Sequence, residues 1–310
     1  MRFWVGVTDK SWVTFLASKK PDEINFWRPS PTGTFRAIDP GSPFLFKLHA
    51  PEHFVVGGGF FLTYEELPLW LAWDAFGEKN GAPDLDTLRA DILRHRNEPV
   101  VSPVIGCIVL GDPFFFAPEL WIPIPSDWRS NIVRGKTYDT STSVGTFLWS
   151  AVTERLMAQG TRLTTDLFKG PAVSDETRFK TTYLTTARIG QGAFRVFVTS
   201  AYEHRCAISG ERVLPVLQVA HIKPYAESGP NRVCNGLLLR SDIHTPFDRG
   251  YLTVTPELRI EVSSRIRDEF DNGEEYYRYR GRELLGVPSD ELDRPAREYL
   301  EYHNAKKFLP

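Results

Sequence analysis

One segment, residues 219–254, constrains this 310-residue chain more than any other part of its sequence. It reads VAHIKPYAESGPNRVCNGLLLRSDIHTPFDRGYLTV, an apolar strand ending at His221, a turn-rich loop leading to Asn235, and a short predicted helix carrying His244. A hairpin followed by a helix can bring a strand-end imidazole and a helix-borne imidazole to one small cavity. The pattern therefore predicts a site where a divalent cation and a phosphodiester meet.

Hydrolysis of a phosphodiester requires a base that deprotonates water and a cation that neutralises charge on the phosphate and on the leaving oxygen. Histidine suits the first role because its unperturbed pKa lies near 6.5. The cation expected at such a site is a single Mg²⁺ or Mn²⁺, which keeps several waters and needs few protein ligands.

The AHIKP, NGLLLR and DIHTPFDRG sequences in this segment resemble the restriction-type branch of the HNH endonucleases, over roughly 189–279. The resemblance implies a ββα-metal fold. It further implies that His221 is the general base, that Asn235 tethers the loop bearing the base, and that His244 is a metal ligand. Cys206 is similar to a structural position of the family.

The residue before the expected base is Ala220, where many HNH nucleases carry a further metal ligand. The second ligand is therefore expected to be Asp248, one helical turn after His244, with Gln218 or water as alternatives. The chain has no paired CxxC motifs, so we expect no structural zinc.

The N-terminal half predicts a mixed β-barrel or sheet with helices, because short β-branched and aromatic runs are separated by glycine and proline. These sequence patterns predict an α+β protein with a recognition domain at 1–157, a linker at 158–188 and a nuclease domain at 189–310. The predicted strands are 2–8, 43–49, 54–64 and 104–111, and the predicted helices are 85–95, 141–157 and 192–202, with 213–220 as the second strand of a hairpin.

The sequences RFWVGVTD, DPGSPFLFKLH and VVGGGFFLTYEELPLWLAWDAFG resemble the PUA-like superfamily, in particular its EVE and ASCH domains. That resemblance implies a reader that takes a modified base into an aromatic pocket. All eight tryptophans precede residue 150, and we expect Trp4, Trp12 and Trp27 to line the pocket, with core packing as the alternative for each. Lys47 either contacts a phosphate or is solvated.

Composition adds little support for nucleic-acid binding, since 37 Lys and Arg against 39 Asp and Glu give a net charge of −2. Three widely spaced cysteines exclude a disulfide framework and fit a reducing cytoplasm. With neither a leader-like start nor a long apolar run, we expect a soluble cytoplasmic protein that contacts no membrane.

These features together predict a type IV-like, modification-dependent restriction endonuclease of phage defence. We expect it to recognise 5-methylcytosine or 5-hydroxymethylcytosine in double-stranded DNA and to act as a homodimer, because cutting both strands requires two nuclease modules. The alternatives are an HNH nuclease that cuts a specific unmodified sequence and a catalytically silent nucleic-acid-binding protein.

Overall fold

The computed structural model of the chain describes residues 1–31, 33–96, 100, 102–159 and 189–310. The chain divides into two compact units, Met1–Gly190 and Gln191–Pro310. The predicted linker at 158–188 lies almost wholly outside the described residues. None of the described helices is both long enough and apolar enough to cross a membrane.

The described part of the first unit is built on one mixed sheet of seven strands. The strands are β1 (Arg2–Thr8), β2 (Glu23–Arg28), β3 (Pro43–Leu48), β4 (Phe54–Pro68), β5 (Val104–Phe115), β6 (Ile122–Pro123) and β7 (Gly135–Asp139). Their order in the sheet is β2-β5-β4-β3-β1-β7, with β6 paired to β4. Strands β1 and β3 are parallel, and the other pairs are antiparallel. Four of them lie where the sequence predicted strands; β2, β6 and β7 did not figure in the prediction.

Among the described residues of this unit, four α-helices accompany the sheet: α1 (Lys10–Lys19), α2 (Leu69–Phe76), α3 (Leu85–Arg94) and α4 (Ser143–Ala158). The sequence predicted α3 and α4 but not α1 or α2. Helix α3 begins where expected because the Asp84 side chain accepts a hydrogen bond from the backbone N–H of Thr87, at 2.7 Å. Thr142 caps α4 in the same way through Gly145.

The core of the first unit lies between α1 and the sheet, where phenylalanines of β3 pack against Trp12 and Leu16. Close strand packing explains part of the glycine run in β4. A Cβ atom on Gly57 would lie 2.3 Å from the carbonyl oxygen of Phe114, and one on Gly58 would lie 2.7 Å from that of Phe44. Only glycine lets β4 approach both neighbouring strands this closely.

The second unit places a two-stranded hairpin between helices. Its elements are α5 (Gln191–Ala201), β8 (Leu217–His221), β9 (Gly236–Arg240), α6 (Ser241–Asp248), β10 (Leu252–Val254), β11 (Ile260–Val262), α7 (Arg265–Phe270), α8 (Glu274–Tyr277) and α9 (Arg297–Lys306). The helix predicted at 192–202 is α5. The prediction that 213–220 is the second strand of a hairpin is wrong, because β8 is the first strand and pairs with β9, which follows it.

Two buried polar groups hold this unit around the hairpin. The Cys206 sulfur accepts hydrogen bonds from the backbone N–H groups of Ser209 and Arg240, at 3.3 and 3.2 Å, which agrees with a structural role. His303 of α9 stacks on Phe247 of α6 with ring centroids 4.0 Å apart and hydrogen-bonds Thr253. These contacts fix α6, which carries His244, against the C-terminal helix.

Candidate active site

His221 is the last residue of β8, where it pairs with Gly236 of β9. Its ring stacks on Phe194 of α5, with ring centroids 4.2 Å apart and an interplanar angle of 24°. Gly236 is needed for this stacking, since a Cβ atom there would lie 3.1 Å from the Phe194 ring and 2.5 Å from Val198. Helix α5 therefore forms one wall against the imidazole.

Burial lowers the pKa of His221 below the ordinary 6.5, while the hydrogen bond with Asn231 and the charge of Asp248 act in the opposite direction. The net lowering keeps the ring neutral at pH 7, which is the state a general base needs. Nε2 of His221 lies 2.9 Å from Oδ1 of Asn231. Because an amide oxygen only accepts, Nε2 carries the proton in the neutral ring and Nδ1 carries the lone pair.

Asn235 is fully buried and pins both ends of the loop that follows His221. Its Oδ1 accepts from the backbone N–H of Lys223 at 2.8 Å, and its Nδ2 donates to the carbonyls of Lys223 and Pro230, each at 3.0 Å. At the loop's far side Glu227 accepts hydrogen bonds from Tyr302 and Lys307 of the C-terminal region. The geometry is that of a tether.

His244 lies on α6 between two side-chain partners. Its Nδ1 is 2.8 Å from Oε1 of Gln218, and its Nε2 is 3.1 Å from Oδ2 of Asp248. The amide oxygen of Gln218 fixes the proton on Nδ1, so in the neutral ring the Nε2 lone pair faces a carboxylate oxygen. Two such acceptors repel each other unless a proton or a metal cation lies between them.

The facing Nε2 and Oδ2 atoms are a nitrogen–oxygen donor set that fits one divalent cation. The His244 side chain is 20% exposed and that of Asp248 is 56% exposed, so solvent reaches both. Among the residues that the structure describes, no group of three or more His, Cys, Asp or Glu side chains could hold a metal. Waters and phosphate oxygens would therefore complete the shell. Gln218, considered above as a ligand, is instead hydrogen-bonded to His244.

Sequence reasoning missed the roles of Phe194, Asn231 and Gln218 in this site. Asn231 lies in a GPNR turn, where asparagine is an ordinary loop residue, and Gln218 occupies a strand position with no motif around it. Asn231 meets His221, and Gln218 meets His244, only when the hairpin has formed and α6 packs on β8. No local sequence pattern predicts either contact.

A second feature lies within the first unit, a cavity of about 340 Å³. It is bordered by the C-terminal end of β1, by α1, by β2 and by the end of α3. Trp12 and Trp27, two of the predicted pocket residues, line it together with His49, His95 and Arg134. Its volume falls within the range of small-molecule sites.

The third predicted pocket residue, Trp4, and the predicted phosphate contact, Lys47, lie elsewhere. Trp4 is not among the residues lining the cavity and packs edge-on against Phe35, with ring centroids 5.5 Å apart. Lys47 is neither solvated nor placed to meet a phosphate, since it is only 3% exposed, bonds Nδ1 of His53 at 3.1 Å and faces the Trp128 ring. All six residues of β3 are buried, which explains why an end-of-strand lysine is enclosed.

Comparison with solved structures gives similarities at low identity. ASCH from Zymomonas mobilis matches with 10% identity and a TM-score of 0.33, covering 48% of this chain and 94% of that protein; the match falls on the N-terminal region. The modification-dependent TagI restriction endonuclease matches with 14% identity and a TM-score of 0.26, over 92% of this chain and 75% of that one. ScoMcrA, a type IV phosphorothioation-dependent restriction endonuclease, matches with 12% identity and a TM-score of 0.20, over 97% and 57%. No protein of curated function matches the chain.

The expected fold class is confirmed in that the chain is α+β. A family model described as HNH endonuclease matches residues 206–255, the segment that runs from Cys206 through the hairpin and α6. That segment contains His221, Asn235 and His244 in the arrangement described above. The chain therefore carries a segment of HNH endonuclease type at residues 206–255, and this match supports endonuclease activity.

Proposed function

We propose that the chain is a modification-dependent endonuclease: residues 1–157, in the first unit, read a modified base in double-stranded DNA, and residues 189–310, which contain the second unit, cut the strand. The observation that carries the proposal is the occurrence in one chain of an HNH site and, in the other unit, of a cavity lined by Trp12 and Trp27. An aromatic cavity suits a base that has been flipped out of the duplex, because stacking on aromatic rings stabilises the bound base by about 1–3 kcal/mol.

In the proposed chemistry His221 is the general base. Its Nδ1 takes a proton from a water molecule while Nε2–H remains bonded to Asn231. The water oxygen attacks phosphorus, the bond from phosphorus to the leaving oxygen breaks, and that oxygen takes a proton from solvent. The products are a phosphate monoester and a hydroxyl group.

His244 and Asp248 are the residues that would hold Mg²⁺ or Mn²⁺, and Gln218 orients the His244 ring toward it. When bound, the cation neutralises charge on the phosphate and on the leaving oxygen. Asn235 acts indirectly, because its hydrogen bonds hold the loop from Lys223 to Pro230 beside the general base His221. Cutting both strands would require two copies of the site, so we propose a homodimer as the active form.

We propose 5-methylcytosine or 5-hydroxymethylcytosine as the modified base. The test is cleavage of matched plasmids, unmodified or carrying 5-methylcytosine, 5-hydroxymethylcytosine or N6-methyladenine, with Mg²⁺ or Mn²⁺. We expect cutting of a cytosine-modified plasmid alone and its loss in His221→Ala. His204→Asn is a matched control, because His204 lies in the second unit at a left-handed turn (φ 57°) that asparagine tolerates.

Three other results would each redirect the proposal. Equal cutting of all plasmids would support a nuclease that acts on unmodified DNA. Cutting of the N6-methyladenine plasmid alone would keep the modification dependence and replace the base. An inactive wild-type protein that still binds DNA would support a silent binding protein.

A further inference from the structure

The cavity of the first unit has one aromatic wall that is rigidly held. The indole N–H of Trp27 donates to the backbone carbonyl of Asn80 at 3.0 Å, and the indole N–H of Trp12 donates to the same oxygen, also at 3.0 Å. Trp12 is almost fully buried, whereas Trp27 is only partly buried. Trp27 is therefore the tryptophan whose ring is available inside the cavity, and its N–H is directed away into the protein.

Asn80 is itself fixed by a buried network. Its Nδ2 donates to the carbonyls of Ala72 and Gly77, at 3.2 and 2.8 Å, and its Oδ1 accepts from Asn25 at 2.9 Å. Both asparagines are fully buried. Because a buried polar side chain with satisfied hydrogen bonds is costly to displace, the carbonyl that orients Trp27 is a fixed point.

His95, immediately after α3, also lines this cavity. Its ring is exposed, and its centroid is 6.5 Å from that of Trp27 at an interplanar angle of 48°. The neighbouring Arg96 holds this chain segment near β2, since its guanidinium donates to the carbonyls of Pro29 at 2.7 Å and Val104 at 3.0 Å. The backbone at His95 is thus anchored by its neighbour, while the His95 ring lies near that of Trp27 and remains exposed to solvent.

We propose that Trp27 and His95 are the two faces between which the modified base stacks, Trp27 as the fixed face and His95 as the one that turns onto it. A flat base between two rings requires a separation of about 7 Å, twice the roughly 3.5 Å contact distance of carbon atoms, and the observed 6.5 Å is close to this. Parallel stacking would require the ring of His95 to turn by about the observed 48°, and this residue is exposed. The inference rests on the proposed function and assigns a binding residue that no motif marks.

The test is equilibrium binding of the full chain carrying His221→Ala, which prevents cutting, to duplexes with a single 5-methylcytosine, 5-hydroxymethylcytosine or N6-methyladenine and to the unmodified duplex. Adding His95→Ala should weaken binding of the preferred modified duplex by about 5- to 150-fold, the equivalent of 1–3 kcal/mol of stacking. Binding of the unmodified duplex should change less than about twofold, because no base is stacked in the cavity. His95→Phe, which retains a flat ring, should restore most of the loss.

Arg94→Ala is the matched control, since Arg94 ends the same helix and its side chain is 71% exposed. It should change binding of all duplexes by the same factor and leave the ratio of modified to unmodified affinity intact. If the His221→Ala protein prefers no modified duplex, the proposed function itself fails. If it prefers one and His95→Ala keeps that preference, the stacking role of His95 is overturned while the proposed function stands.

Discussion

Replacing Asn235 by alanine tests whether this side chain is the tether of the active-site loop. The substitution removes three hydrogen bonds and leaves the N–H of Lys223 and the carbonyls of Lys223 and Pro230 without their partner. A buried group left unsatisfied costs about 1–3 kcal/mol, and water reaches part of this loop, so we expect a loss of about 2–4 kcal/mol in the free energy of unfolding of the second unit. This corresponds to a decrease in Tm of roughly 10 °C.

The distribution of tryptophans makes the assay specific to one unit. All eight lie before residue 150, so tryptophan fluorescence follows the unfolding of the first unit only, while calorimetry follows both. We expect Asn235→Ala to lower one calorimetric transition and to leave the fluorescence transition unchanged. Cleavage at a temperature where both units are folded should fall by about 100-fold, because a base displaced by about 1 Å loses its alignment with the attacking water.

Asn235→Asp keeps the size of the side chain and removes its hydrogen-bond donor. The aspartate still accepts from the N–H of Lys223. It places a carboxylate oxygen against the carbonyls of Lys223 and Pro230, which in the wild-type protein accept hydrogen bonds from Nδ2 of Asn235. We expect it to be at least as destabilising as alanine at neutral pH. Wild-type stability and cleavage in both variants would refute the tether and leave the loop to be held by Glu227 alone.

Three further changes test separate parts of the structure. Gln218→Ala frees the His244 ring, and should raise the Mn²⁺ concentration for half-maximal cleavage about 10- to 100-fold; an unchanged requirement would exclude an orienting role. Burial lowers the pKa of His303 to about 4, below its unfolded value of 6.5, so its contribution to stability is complete above pH 6.5 and is lost as the pH falls toward 4. Urea unfolding of the second unit, followed by circular dichroism, should show a loss of about 2 kcal/mol between pH 7 and pH 5 that His303→Gln reduces. Gly58→Ala should destabilise the first unit by about 1–3 kcal/mol in tryptophan-monitored unfolding, whereas a neutral effect would mean that β4 can move away from β3.

The sequence predicted the elements of the candidate site because their signals are local. His221 ends an apolar strand, and His244 lies in a short helix directly after the next strand, so the order of elements already places the two imidazoles near each other. Asp248 follows from helical spacing, and its carboxylate does face His244. The family match at 206–255 is consistent with these local patterns.

What the sequence did not predict depends on contacts between distant residues. Strand β2 has no alternation of apolar and polar residues, because Glu23 and Asn25 are both fully buried. Glu23 is stabilised there by an ion pair with Lys79 at 3.0 Å, and Asn25 by its bond to Asn80. His95 has the same character: only the packing of α3 beside β2 brings it opposite Trp27.

The charge of the chain bears on how its two proposed activities are coupled. Since the net charge is −2, the chain as a whole has no basic excess, and under the proposed function we expect its sequence-independent retention on the duplex through counterion release to be weak. The energy that keeps the enzyme on a site must then come from a contact that unmodified DNA does not make. Stacking of one base between Trp27 and His95, about 1–3 kcal/mol, would raise residence at a modified site by about 5- to 150-fold. Under the proposed function, a weak affinity for unmodified DNA is thus what allows the single cavity of the first unit to restrict cleavage to modified DNA.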